Sequence, residues 1–325
     1  MNQAIKFSGE LWADRWEKQL TDQVAELGVT PVLAAVYFHE DAGSRLYTRL
    51  KSEAAARVGI KYLTASFSLA DPVENAISKI REWVNDSGIT GVMVQKPWAK
   101  MWIAAQPNQF LSDAAAKMAY AAWWDKLMMA IPLAKDVDGL SVETRNALKT
   151  GAAVKVVPAT CRAVLFILTQ ALEKHLAWLP SSSSFDPVAP VKVALIGKSD
   201  LLTVPLFNRL RNYPDWWTDQ AAESQFKTNQ IEWQPELFTS VSLANYLAVH
   251  QQLFDFQVIV SATGVPNLIQ PEWIKPGSIL IDAGEPLGDI DPQAYESSVF
   301  YTPVPGGVGP LTVSFLLKNC LDLIV

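Results

Sequence analysis

VKVALIGKSDLLTVPLFNRLRN (191–212) opens with an apolar run, stops at a glycine and continues into a segment that reads as a helix. FQVIVSATG (256–264) and GSILIDAG (277–284) repeat the apolar run closed by glycine. Such runs, apolar on both sides of the chain, are expected of parallel strands covered on both faces. The three together describe a parallel α/β unit of nucleotide-binding type, whose ligands gather beyond the carboxyl ends of the strands.

The same grammar appears upstream. Trp12, Trp16, Leu20, Val24 and Leu27 recur at helical spacing, which predicts an amphipathic first helix. PVLAAVYF (31–38) then reads as a buried strand, a second helix is expected from near Ala42, and DPVENAISKIREWVND carries Val73, Ile77, Ile80 and Val84 on one helical face before the strand ITGVMVQ (89–95). Between the two α/β stretches, SSSSFDPVAP (181–190) joins a serine run to two prolines and reads as a surface loop, an insertion or a linker.

Composition narrows the function classes. At ~100 to 200 residues per domain, 325 residues predict two domains. With half the chain apolar and 18% charged, disorder is excluded on composition. Lys and Arg total 27 against 33 Asp and Glu, a net charge of −6, and without a basic run the electrostatic signature of nucleic-acid binding is missing. Cys161 and Cys320 cannot build a disulfide framework, and no Cys/His cluster has zinc spacing, so no metal is expected. The N-terminal stretch lacks the pattern of a signal peptide, and apolar runs such as LMMAIPLA (127–134) fall short of the ~20 residues that span a bilayer. A cytoplasmic protein with no membrane partner is the expectation.

Four constellations could carry chemistry. Ser44, Tyr47 and Lys51 fall at i, i+3 and i+7 of the expected second helix and share one face; alone, this is also the pattern of a solvated lysine beside a half-buried tyrosine. Gln95 closes an apolar strand, where it serves either local hydrogen bonding or a ligand. AKDVDGL (134–140) sets two acids before a glycine, a loop that by itself commonly satisfies its own backbone. TPVPGGVGPLT (302–312) is more specific, with three glycines and three prolines in a short stretch. Glycines let backbone approach a ligand, and Pro310 fits the first turn of the helix that follows.

In their order along the chain, PVLAAVYF, SRLYTRLK, GVMVQKP, PLAKDVDGL, VALIGKS, VIVSATGVPNLIQPEWIKPGSILIDAG, GDID and TPVPGGVGPLT resemble the methylenetetrahydrofolate dehydrogenase/cyclohydrolase (FolD) family along nearly the whole length. The resemblance implies an α/β protein of two domains. A folate-binding catalytic domain (1–155 and 310–325) would be joined to a Rossmann-type doubly wound domain (156–309), the last helix returning to the first domain. It implies oxidation of 5,10-methylenetetrahydrofolate with NADP, NAD being the other candidate, and hydrolysis of the product to 10-formyltetrahydrofolate, in a homodimer. The alternatives are a cyclohydrolase with a weakened or NAD-dependent dehydrogenase, and a folate-binding protein without turnover.

Residue by residue, the resemblance makes Lys51 the catalytic lysine, with Gln95 its partner, Tyr47 stacked on the aminobenzoate and Asp138 anchoring the pterin. Ser44, Pro305, Gly306 and Gly307 would complete the substrate pocket, while Gly197, Lys198, Ser199, Thr203, Thr263 and Gly264 would meet the cofactor. A lysine working as a proton acceptor near neutral pH needs burial or a neighbouring cation, and Lys96 is the expected source of that second charge. GKSDLLTVP departs from the family pattern, with Lys198 for an arginine and Thr203 for a glycine. Lysine lacks the bidentate fork of arginine, so a reduced preference for NADP is expected, with Thr203 either turning its hydroxyl to a phosphate oxygen or, with its methyl inward, making the cofactor ride higher.

Overall fold

The computed structural model describes residues 4–106, 110–176, 190–212 and 232–324. All but the last residue of the serine-rich stretch 181–190 lies outside them. The described chain forms two compact units, one built mainly from residues 14–147 and 313–325, the other mainly from residues 158–312 together with the N-terminal segment through Ala13.

In the first unit, strand β2 (Val32–Phe38) is the centre of a parallel three-stranded sheet, flanked by β3 (Lys61–Phe67) and β4 (Gly91–Val94). Its Leu33, Ala34, Ala35 and Val36 are fully buried, as a central parallel strand requires. Helix α1 (Gly9–Glu26) buries Trp16 and Leu20, two members of the spacing noted above. Helix α2 (Ala42–Val58) starts at an Asp41 cap and stops at Gly59, whose φ of 86° is the left-handed conformation favoured by glycine. Helix α3 (Val73–Asn85) follows the expected period and buries Ile80.

Helices α4 (Ala99–Ala104) and α5 (Asp113–Met128) follow β4 and had no counterpart in the sequence reading. They pack Trp102, Tyr120, Trp123 and Trp124 into an aromatic cluster that reaches Phe38 on β2. Helix α6 (Val142–Thr150) completes this part of the chain.

The second unit holds a parallel six-stranded sheet in the order β1-β9-β8-β7-β5-β6, from β1 (Ile5–Lys6), β5 (Val191–Ile196), β6 (Trp233–Phe238), β7 (Val258–Ser261), β8 (Ile279–Asp282) and β9 (Phe300–Tyr301). Helices α7 (Ala159–Leu176), α8 (Thr203–Asn212) and α9 (Ser240–His250) accompany it. The order of pairing reverses at β5, which has β6 on one side and β7 on the other. Open α/β sheets bind their ligands at such a reversal, beyond the carboxyl ends of the two strands. β1 pairs with β9 in this sheet.

The last helix, α10 (Val308–Asp322), carries the fully buried Asn319. Its Nδ2 donates to the Val137 carbonyl at 3.1 Å and the Val157 carbonyl at 2.9 Å, so one amide fastens α10 to the segment holding the paired acids. Asn319→Leu keeps the volume but strips one buried and one half-buried carbonyl of their donor, at ~1 to 3 kcal/mol per unsatisfied buried group. The expected loss is about 2 to 4 kcal/mol in a urea titration, and an unchanged midpoint would show that water replaces the amide.

Candidate active site

The Asp41 carboxylate organises the start of α2. It accepts from Gly43 N and Ser44 Oγ, and also from Trp98 N beyond β4, each at 3.0 Å. Two turns further on, Lys51 lies only 7% exposed, and its Nζ donates to Gln95 Oε1 at 2.8 Å. Residues 44 positions apart in sequence meet because β4 pairs directly with β2, the strand that α2 follows. Tyr47 stands half-buried on the same helix. Ser44 sits lower than expected: it is 2% exposed and its hydroxyl proton is committed to Asp41. The Lys96 ammonium lies over the Trp124 ring at 5.1 Å in a cation–π contact.

The two acids of the Asp-Val-Asp-Gly turn divide their work. Asp136, 1% exposed, accepts from Leu140 N, Ser141 N and Thr144 Oγ1 at 3.1, 2.8 and 2.6 Å. It builds the loop. A Cβ added at Gly91 would stand 2.9 Å from Val137 Cβ, so the segment lies directly against β4. Asp138 is half-buried, and no hydrogen bond reaches its carboxylate among the described residues. Burial raises its pKa to about 6; the Lys51 charge pulls it down and the Asp136 charge adds to the rise.

At the carboxyl ends of β5 and β7, two turns touch. Gly197 has φ 110°, and a Cβ there would stand 2.4 Å from the Ala262 carbonyl oxygen, so this glycine is required by the neighbouring chain. Lys198 is exposed and Ser199 half-buried. Thr203 is fully buried. Its hydroxyl donates to the Gly197 carbonyl and accepts from Ser199 N, both at 2.9 Å, and so staples the loop from inside. Thr263 Oγ1 accepts from Val265 N at 3.1 Å around Gly264, which has φ 70°.

The Pro305–Gly307 turn owes one glycine to backbone conformation and the other to crowding by the chain itself. Gly306 has φ 93° and accepts from Gly9 N at 2.8 Å, and a Cβ on Gly307 would meet the Pro303 carbonyl oxygen at 2.5 Å. Sequence reasoning passed over Asp282 and Asp289, both fully buried. The signal was present in the acid that closes the strand of GSILIDAG and in GDID, an acid between glycine and an apolar residue.

A family model described as tetrahydrofolate dehydrogenase/cyclohydrolase, catalytic domain, matches residues 7–111. Its companion, the NAD(P)-binding domain of the same family, matches residues 239–325. The chain belongs to the tetrahydrofolate dehydrogenase/cyclohydrolase family. Among its relatives, the bifunctional protein FolD of Marinomonas sp. is 29% identical over 330 residues, covering 98% of this chain and 97% of that protein. That of Psychrobacter sp. is 28% identical over 334 residues, covering 98% and 96%. A Trypanosoma brucei FolD structure, complexed with NADP and an inhibitor, shares the fold with a TM-score of 0.74 at 24% identity, covering 99% of this chain and 98% of that one. The two-unit α/β architecture with parallel sheets agrees with the fold expected from the sequence.

Among the described residues, no group of His, Cys, Asp and Glu could hold a metal ion, and no helix is long and apolar enough to cross a membrane. Cys161 and Cys320 are buried, and burial pushes both thiols up to about 12.

The raised pKa of Asp138 fixes a sign. Between the ordinary value of 3.8 and about 6, the folded state holds a proton that the unfolded state has released, so this residue's contribution to stability declines as pH rises through that window. Asp138→Asn removes the cost of the buried charge. The variant is expected to melt above the parent at pH 8, with the difference shrinking toward pH 4; a lower melting temperature at pH 8 would show that the charge is compensated in the folded protein.

Proposed function

We infer that the chain oxidises 5,10-methylenetetrahydrofolate to the methenyl form with NADP and hydrolyses that product to 10-formyltetrahydrofolate. The observation that carries this reading is the buried Lys51 amine held against Gln95, with the Asp138 carboxylate close enough to feel its charge. An amide oxygen accepts from an amine and an ammonium alike, so Gln95 holds Lys51 in place in both protonation states.

Hydrolysis adds water to the methenyl carbon. The attacking water gives a proton to the Lys51 amine as its C–O bond forms. The N5–C bond then breaks, N5 takes a proton and the hydroxyl loses one, leaving the formyl group on N10 and one net proton for solvent. Tyr47, half-buried on the same helix, would stack on the aminobenzoate ring. Asp138, with its acceptor capacity unused, suits the amino and ring N–H groups of a pterin.

The residues at the sheet reversal fit a dinucleotide: a glycine turn at the end of β5, the N-terminus of α8 behind it, and an exposed Lys198. When bound, the nicotinamide supplies the acceptor for the hydride leaving the methylene carbon. Gly197, Lys198, Ser199, Thr263 and Gly264 would hold the cofactor, while Thr203 shapes the loop from beneath. Lys198 offers a 2′-phosphate one point charge, so we expect NADP to be preferred only weakly over NAD. We also propose a cytoplasmic homodimer formed through the NAD(P)-binding domain, where α9 leaves Val241 and Val249 exposed.

Reduced-cofactor formation from methylenetetrahydrofolate, with NADP and NAD in parallel, tests the reading, and a protein that neither reduces cofactor nor hydrolyses the methenyl compound would overturn it. Lys51→Gln keeps most of the side-chain volume without the titratable amine; methenyl hydrolysis should fall at least about a hundredfold while folate still binds. Asp138→Asn replaces an anionic acceptor worth ~1.5 to 3 kcal/mol, so calorimetry should show folate binding weakened roughly ten- to a hundredfold and NADP binding unchanged. Equal losses for both ligands would contradict the role.

A further inference from the structure

The loop from β8 to residue 290 is built on two buried carboxylates. Asp282, at the carboxyl end of β8, accepts from Gly284 N and Asp289 N on Oδ1, and from Ile290 N on Oδ2, at 2.9, 3.1 and 2.9 Å. It fixes the loop, and the loop presents Asp289. The Asp289 carboxylate reaches to the carboxyl end of the neighbouring strand, where Oδ2 accepts from Ser261 Oγ at 2.8 Å and from Thr263 N at 2.6 Å. Its Oδ1 is buried with no hydrogen-bond partner. A structural carboxylate normally fills its acceptor capacity, as Asp136 and Asp282 do, and an orphaned buried oxygen costs free energy. What the second oxygen forgoes is compensated by what the first one holds.

That first oxygen holds the turn Ala262–Thr263–Gly264, which faces Gly197 across the sheet reversal. We propose that Asp289 is a positioning residue for the dinucleotide: its carboxylate clamps the Thr263 amide from beneath, so that the turn after β7 is already in place when the cofactor arrives. Gly284 belongs to the same device, because a Cβ there would stand 2.3 Å from Asp289 Oδ1 and drive the carboxylate off Thr263. Asp289 touches neither substrate nor cofactor; it acts through the backbone of residue 263. This rests on the dehydrogenase reading above, and the methenyl hydrolysis of the same protein, which uses no dinucleotide, supplies an internal reference.

The experiment compares wild type, Asp289→Asn, Asp289→Ala and Gly284→Ala by NADP titration in a calorimeter and by both activities. Asp289→Asn keeps one neutral acceptor for Thr263 N and should raise the KM for NADP three- to tenfold. Asp289→Ala and Gly284→Ala should raise it thirtyfold or more. In all three, the dehydrogenase kcat at saturating NADP and the methenyl hydrolysis rate should stay within twofold of wild type. NADP affinity unchanged in Asp289→Asn, or both activities falling in step, would overturn the proposal in favour of a purely structural carboxylate. A wild type that hydrolyses the methenyl compound but binds no NADP would instead overturn the dehydrogenase reading, and this proposal with it. Should Asp289→Ala fail to fold, Asp289→Asn and Gly284→Ala decide between the outcomes.

Discussion

A lysine amine drawn out of water must be given a hydrogen-bond acceptor, and the 2.8 Å contact from Lys51 to Gln95 sets what the surrounding chain has to do. Gln95 must end a strand that lies beside the strand preceding the lysine's helix, and the parallel pairing of β4 with β2 achieves this. The helix must begin at a fixed height, and the Asp41 cap, bonded also to Trp98 N, sets it. The acid that completes the group must come from a third segment held against β4; glycine at position 91 lets that segment approach, and Asn319 fastens it from behind.

Acidic residues work in pairs of unlike members in both units. Asp136 and Asp282 are saturated with N–H and O–H donors and act as the cores of loops. Asp138 and Asp289 keep acceptor capacity in reserve. The difference is one of geometry, since a loop carboxylate pointing back into its own turn meets the amides that follow it, while its neighbour two or seven residues away faces elsewhere. Burial raises Asp138 of the second kind and Asp282 of the first alike, each to about 6. Perturbed groups of this kind gather where proteins bind and react.

Much of this was legible beforehand. Helical spacing placed α1 and α3, and the glycine-ended apolar runs placed β5, β7 and β8 within a few residues of their observed bounds. β3 escaped because it lies at the edge of its sheet and alternates partly polar residues, which blurs a buried-strand pattern. α5 escaped because alanines surround its aromatic residues, leaving little contrast between its faces. In the site, the family resemblance singled out Lys51, Gln95 and Asp138, whereas residue type and spacing alone could not say which of the two acids in Asp-Val-Asp-Gly would be consumed by its own loop. Hydrogen-bond direction decides that, and a sequence does not contain it.

Thr203 shows how a departure from a family pattern is absorbed. A branched residue replacing glycine in a phosphate-binding loop reads as an obstruction, since backbone amides must come close to the ligand there. The folded chain turns the side chain inward, where its hydroxyl closes Gly197 O and Ser199 N into one internal network. The obstruction is gone, but the Ser199 amide is now spent on the loop. Val204 N and Leu201 N are likewise paired, with Ser199 O and Ser199 Oγ. Such a loop meets phosphate with fewer backbone donors, and more of the attraction must come from the start of α8 and from the charge on Lys198. Charge attracts phosphate without defining its orientation. In the proposed cofactor site, the facing turn at Thr263 and Gly264, held from below by the Asp289 carboxylate, would share in positioning the dinucleotide.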